Sequence, residues 1–433
     1  MRCHLFLIGL TLCHFHGEAA TLDAGPGTVV VLGSSTAQGA GASSYQESWA
    51  GRLTAALSGR GFAVRNVSIS GTHTGDSLAR FDHDVTGFKP GFVMLATSFA
   101  NEPAVAPAQS YLQNTLQLIR KVESIGAIPI VVAPYPNNGF SAATYSSIKD
   151  IYAALAAEGV PILDFLDGTD DGRGRWVQGL SVDGTHPTDV GHKLLFDCIP
   201  LTLFEALQHP MPPLPPRGFG SWVQNTGPQT QGDLEVRPAS GMESWTVSFW
   251  TSHGPALSER TLLSVNSGWL QLRREGTSLQ LWREGANVAT VEPSGSSGFH
   301  HVGLTYQSVT GALNFYVDGR FRAQASIPGG NPATVFSMGG DPAFPGRNAV
   351  GDSFADILLY RAPLSQTDIQ DIGVGKMPWK SVEAWLPLAF SPDRPAQNLA
   401  ASVVTVITHG TWRWSTEGIP PHPPFLPRRV ALR

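Results

Sequence analysis

Between residues 28 and 207, short apolar runs and helix-like stretches take turns, and this alternation restricts the fold more than any other feature of the chain. The apolar runs are 28–32, 63–69, 92–96, 128–133 and 161–165; the helix-like stretches are 48–57, 107–124, 142–157 and 189–207. The runs show no strict apolar–polar alternation, which is the pattern of strands covered on both faces. Strands separated by helices imply parallel pairing, with helices packed above and below the sheet. Leu112, Leu116, Ile119 and Val122 recur at helical spacing. Pro107 suits a first helical turn, and Pro200 predicts a kink or a division in the last helix.

A parallel sheet gathers the loops after its strands at one edge, where ligands bind. Every candidate reactive residue falls there. Ser35 follows the first run, in Gly33-Ser34-Ser35; Gly71 follows the second and Asn101 the third; Asp183 and His186 follow the last after a longer loop. Acyl transfer needs a nucleophile, a base, an orienter for the base and donors for an oxyanion. Ser35 is the candidate nucleophile, preferred to Ser34 because it stands just past the turn. His186 can take its proton, and Asp183 can hold the other ring nitrogen. The N–H groups of Ser35 and Gly71 and the side-chain amide of Asn101 make three oxyanion donors. Taken singly, each has an ordinary explanation: Gly71 as a turn, Asn101 as a helix cap, Asp183 and His186 as a turn and a helix start. Their order is what is hard to obtain by chance. His73 and Asp76, just past Gly71, read as a polar surface loop or as pocket lining. His192, His300 and His301 have no metal-ligand spacing.

In these residues the chain resembles the SGNH, or GDSL-like, hydrolases. The blocks are Gly33-Ser34-Ser35 with Gly39, then Gly71, then Asn101, then Asp183-Gly184-Thr185-His186-Pro187. The resemblance covers about 28–207. It implies a flavodoxin-like three-layer α/β hydrolase domain and ester hydrolysis through an acyl-serine. Catalytic Ser35, Asp183 and His186, an oxyanion hole of Ser35, Gly71 and Asn101, no metal and no cofactor go with it. Two departures stand out. Ser34 replaces the family's usual Asp, and Phe99-Ala100-Asn101-Glu102 replaces Gly-x-Asn-Asp.

Five prolines between 210 and 216 then predict a semi-rigid spacer, and beyond it a unit that folds without the first. Trp245-Thr246-Val247-Ser248-Phe249-Trp250 and Leu313-Asn314-Phe315-Tyr316-Val317 alternate, and 279–282 and 301–306 give further short strands. Such strands with glycine-rich turns predict an antiparallel sandwich. With 356–365 they resemble laminin-G-like, concanavalin-A-like domains, which implies an all-β jelly-roll sandwich of the kind that often binds glycans. Its tryptophans read mainly as core, and no dense acidic cluster marks a calcium site.

The expected organisation is a signal peptide at 1–19, a hydrolase domain at 25–208, a linker at 209–219, a sandwich at 220–415 and a tail at 416–433. The leader rests on Arg2, the apolar run 5–13 and the small-residue cleavage site Gly17-Glu18-Ala19. It points to a secreted or periplasmic protein. Cys3 and Cys13 leave with it, and Cys198 remains, in a stretch that reads as a helix core. A net charge of −5 gives no footprint for nucleic acid, and no stretch is apolar enough to span a membrane. Charged residues make up only 15%, against about 25% in an average domain, which suits a loop-rich extracellular protein. The function expected is a serine esterase acting on an acylated carbohydrate or small ester, with a glycan ligand for the second domain. A lipid or aryl esterase, and a glycan-binding protein with an inactive hydrolase scaffold, are the alternatives.

Overall fold

The computed structural model describes residues 27–209, 222–227, 232–252, 259–292, 298–344, 346–388 and 397–415. The expected leader, nearly all of the proline-rich linker and the tail lie outside the described residues.

The first domain is a sheet of β1 (Thr28–Gly33), β2 (Ala63–Asn66), β3 (Phe92–Ala96), β4 (Ile128–Val132) and β5 (Ile162–Leu163), in the order β2-β1-β3-β4-β5. All four pairings are parallel. This is the flavodoxin-like order, whose direction reverses between β1 and β3. Neighbouring residues of a strand enter opposite cores. Val29 and Val31 pack with Trp49, Leu53 and Leu57 on one face. Val30 and Leu32 pack with Phe81, Tyr111 and Leu118 on the other. Both sets need apolar side chains, which is why these strands show no alternation.

Seven helices surround the sheet: α1 (Ser35–Gln38), α2 (Trp49–Ser58), α3 (Thr74–Asp84), α4 (Pro107–Ser124), α5 (Ala142–Ala157), α6 (Asp189–Asp197) and α7 (Leu203–Leu207). Pro107 does open α4. Pro200 falls in the break between α6 and α7, so the last helix is divided. The surface loop expected around His73 and Asp76 is instead the start of α3. There the His73 ring accepts from the Gly75 N–H at 2.9 Å, and the Asp76 carboxylate accepts from the His73 N–H at 3.0 Å. The two residues close a capping box, with histidine in the place that Ser or Thr usually takes.

Among the described residues, the second domain stacks a seven-stranded and an eight-stranded antiparallel sheet. Strand Trp245–Ser252 lies in the second of these, and its Trp245, Val247 and Phe249 enter the core between the sheets. A smaller core on the outer side of that sheet packs Tyr316, Tyr360 and Trp385 beneath helix α8 (Gln366–Gly373).

The proline run does not hold the two units apart. Lys380 of the second domain pairs in parallel with Ile162 of β5, and the Ser381 N–H donates to the Ile162 carbonyl at 2.8 Å. The Asp164 N–H donates in turn to Ser381 Oγ at 2.7 Å. The second domain thereby covers the β5 edge of the hydrolase sheet, where unpaired backbone would otherwise face solvent.

Candidate active site

β1 ends at Gly33, and the chain turns at once into α1. A side-chain carbon on Gly33 would stand 2.5 Å from the Ala96 carbonyl and 2.6 Å from the Ala37 Cβ, so only glycine lets α1 sit this close to β3. Ser34 is buried, and its hydroxyl has no hydrogen-bond partner. Ser35 is the first residue of α1 and is partly open to solvent. As a first-turn residue its N–H has no acceptor within the helix.

The loop between β5 and α6 brings His186 across. It is pinched shut where the Val182 N–H donates to the His186 carbonyl at 2.9 Å. Within that pinch, Asp183 Oδ1 accepts from the N–H groups of Thr185 (2.8 Å) and His186 (2.7 Å). Asp183 Oδ2 lies 2.8 Å from His186 Nδ1, and His186 Nε2 lies 3.0 Å from Ser35 Oγ. A carboxylate at Nδ1 keeps the proton there and leaves Nε2 as the acceptor facing the serine. Slight burial works to raise the Asp183 pKa. The N–H and ring of His186 and the N–H of Thr185 outweigh it and hold the carboxyl down at about 2. Asp183 is therefore an anion near neutrality.

The two other oxyanion candidates share a seam. Gly71 has φ +78, and a side-chain carbon there would meet nothing, so glycine is required by the backbone and not by crowding. Asn101 lies in a 3₁₀ turn (Phe99–Asn101) just after β3, and its Nδ2 donates to the Thr72 carbonyl at 3.0 Å. On the other side, Gln38 Oε1 of α1 accepts the Ser70 N–H at 3.0 Å. One continuous set of contacts thus runs from the helix of Ser35 through 70–72 to Asn101. The switch between β1 and β3 is where the three meet, the position at which open α/β sheets bind ligands.

Several supports were not singled out by sequence. A side-chain carbon on Gly41 would stand 2.3 Å from the Pro187 carbonyl and 3.0 Å from the His186 Cβ. Asn138 follows β4, donating its N–H to the Gly184 carbonyl at 2.8 Å and accepting the Trp176 N–H at 3.1 Å. Asn137 Nδ2 reaches Thr185 Oγ1 at 3.3 Å. The doublet Asn137-Asn138 just past the fourth strand was the signal available for these two. His192 is fully buried; its Nδ1 accepts from the Trp49 N–H at 3.3 Å, and its Nε2 lies 3.1 Å from the Ala40 carbonyl. Burial pushes its pKa down to about 4. It ties α6 to the segment behind Ser35.

Among the described residues, Asp233, Glu235 and His409 of the second domain form the one group with the spacing of a metal site. Its members are already engaged: Asp233 with His409 at 2.9 Å, and Glu235 with Arg237. Cys198 is buried against Gly168, and burial raises its thiol pKa well above the ordinary value. No described helix is long and apolar enough to cross a membrane.

Residues 31–194 match the model of the GDSL-like Lipase/Acylhydrolase family, and residues 228–370 that of the Concanavalin A-like lectin/glucanases superfamily. No curated protein matches the chain. Among solved structures the chain is similar to a Desulfitobacterium hafniense protein described as lipolytic and of the G-D-S-L family, at 26% identity over 40% of this chain and 97% of that one, TM-score 0.34. It is similar to a Bacteroides ovatus protein described as carbohydrate binding, at 16% identity over 46% and 61%, TM-score 0.39. It is also similar to a variant of an acetyl-xylooligosaccharide esterase from Geobacillus Stearmophilus, at 17% identity over 41% and 94%, TM-score 0.33. The first domain is a GDSL-like carboxylic ester hydrolase domain, and the second a concanavalin A-like, laminin G-type sandwich.

Proposed function

We propose that the protein is a secreted serine esterase that removes acyl groups, acetyl foremost, from carbohydrates through an acyl-serine intermediate. The observation that carries the reading is the unbroken chain from Asp183 to His186 (2.8 Å) to Ser35 Oγ (3.0 Å). Ser35 Oγ attacks the ester carbonyl and passes its proton to His186 Nε2. Asp183 steadies the imidazolium. The charge that grows on the carbonyl oxygen is met by the N–H groups of Ser35 and Gly71 and by Asn101 Nδ2. His186 then protonates the departing alcohol, and water, activated by the same ring, releases the acid. The sandwich domain and the leader read at 1–19 support a carbohydrate substrate outside the cell.

The test is acetate release from a panel of acetylated polysaccharides, with Ser35→Ala as the control. Release by the wild type and none by the variant is the expected result. Exposed Ile69 and Val182, beside Gly71 and Asp183, favour a second reading in which longer acyl chains are taken. Turnover that rises along a series of p-nitrophenyl esters from acetate to octanoate would select it.

A further inference from the structure

A buried set of charges lies where the two domains meet. Lys380, from the second domain, has a side chain only 6% exposed. Its ammonium reaches Asp167 Oδ2, and lies 3.0 Å from Asp164 Oδ2 and 3.0 Å from Asp368 Oδ2. Lys149 of α5 takes the other oxygen of Asp167. Three carboxylates therefore face two ammonium groups. Burial, and then the neighbouring Asp167, push the Asp164 carboxyl up to about 6 even with Lys380 present. Without Lys380 three carboxylates would face one cation, and a buried charge left without its partner is strongly destabilising.

Asp164 and Asp167 are the first residues of the loop that carries Asp183 and His186. From there the chain and its contacts lead to Thr185, the residue before the histidine. The Asp170 carboxylate, one turn on, accepts the Gly174 N–H at 2.8 Å. Asp170 pairs with Trp176 in a short antiparallel bridge. Trp176 Nε1 donates to the Thr185 carbonyl, next to His186, at 3.3 Å. A second contact from the sandwich reaches the same segment: buried Gln307 donates to the Gly168 carbonyl at 3.1 Å.

We propose that the second domain holds the loop of Asp183 and His186 in its working shape, so that Lys380 and Gln307 are positioning residues for the reaction. This rests on the esterase reading above. Without the Lys380 ammonium the acidic cluster is relieved either by Asp164 taking up a proton or by the root of the loop swinging towards solvent, and a swing drags Trp176 and Thr185 and moves the imidazole off Ser35. A misplacement of that kind costs on the order of 10–10² in turnover.

The test uses the full chain at a temperature where circular dichroism shows every variant folded. Lys380→Met is expected to lower kcat on p-nitrophenyl acetate by about 10–10² with KM little changed. It should also shift or broaden the low-field proton resonance of the His186 Nδ1–H held by Asp183. Arg361→Met is the control. Arg361 is equally buried at the domain junction, where it pairs with Glu383 at 2.6 Å and with Ser240 at 2.9 Å and reaches the first domain at the Asp197 carbonyl of α6 (3.4 Å), and none of its hydrogen bonds goes to the loop. It should lose thermal stability and keep its kcat. A folded Lys380→Met with wild-type kcat and an unchanged His186 resonance overturns the proposal. Should Lys380→Met fail to fold, Gln307→Leu takes its place, and wild-type kcat and resonance there overturn it equally. A wild type that hydrolyses no ester sinks the esterase reading instead, and the resonance alone then decides whether Lys380 positions the histidine.

Discussion

Gly41 and His186 are in such close contact that a methyl group on the glycine would stand 3.0 Å from the histidine Cβ. The Gly41 backbone also has φ +93, which disfavours any other residue. The loop behind the serine and the loop of the base therefore fit together only through a bare backbone. Gly41→Ala is expected to keep the fold and to cut kcat by on the order of 10². Steady-state kinetics on p-nitrophenyl acetate with a dichroism check tests this, and unchanged kcat would show that the contact is slack.

The adjacent serines should behave in opposite ways. Ser35→Ala removes the proposed nucleophile and should cost on the order of 10⁶ in kcat. Ser34 Oγ is buried and unpaired, so Ser34→Ala should leave activity alone and hold or raise the melting temperature. Asn101→Ala, which removes one oxyanion donor, should fall between at about 10²–10³. Loss of activity in Ser34→Ala alone would reverse the assignment.

His192 should make the first domain sensitive to acid. Burial, against the weaker pull of the Ala40 carbonyl and Asp189, pushes its pKa from the ordinary 6.5 down to about 4. Its Nδ1 faces the Trp49 N–H, so a proton there would set donor against donor. Between pH 6.5 and 4 the unfolded chain takes up a proton that the folded ring refuses. The stability supplied by the neutral ring is complete above pH 6.5 and drains away as the pH falls to about 4. His192→Gln lacks that loss. Urea unfolding of both proteins at pH 7 and pH 4.5 should show the wild type losing on the order of 2 kcal/mol more than the variant. Equal losses would mean that the ring is charged when folded.

Cys198 should be silent to thiol reagents. It is 2% exposed, and burial raises its pKa, so little thiolate forms near neutrality. Protein beginning after Ala19 should bind no Ellman's reagent when native and one equivalent in denaturant. Fast native labelling would show the α6 core to be open.

Much of the first domain was legible because burial on two faces leaves a local mark. The run 92–96 and the stretches 107–124 and 142–157 have the bounds of β3, α4 and α5. Helix α3 was not legible. Only Thr74, Ser77 and Phe81 of its eleven residues are buried, and its cap is a histidine, so neither periodicity nor a Ser/Thr start announces it. Ser35, Asp183 and His186 stood out because each follows a strand at one edge of the sheet. Gln38, Gly41 and Asn138 did not, since their roles arise from what lies across the gap and not from their neighbours in the chain. The contact between the two units was hidden for a related reason. Composition reports how stiff a segment is, and not whether the units on either side touch.

The pairing of Ser381 with β5 has a consequence for synthesis. The chain is made from its amino end, and Ser381 comes 217 positions after Asp164. When the serine, the histidine and the whole five-stranded sheet have already been made, one margin of that sheet is still bare, and the acidic root of the histidine loop has Lys149 but still lacks Lys380, the second of its two cations. Both are supplied only once nearly all of the sandwich has emerged. A chain that stops early, or is cut in the sandwich, carries every group proposed to react and still leaves the hydrolase domain unfinished.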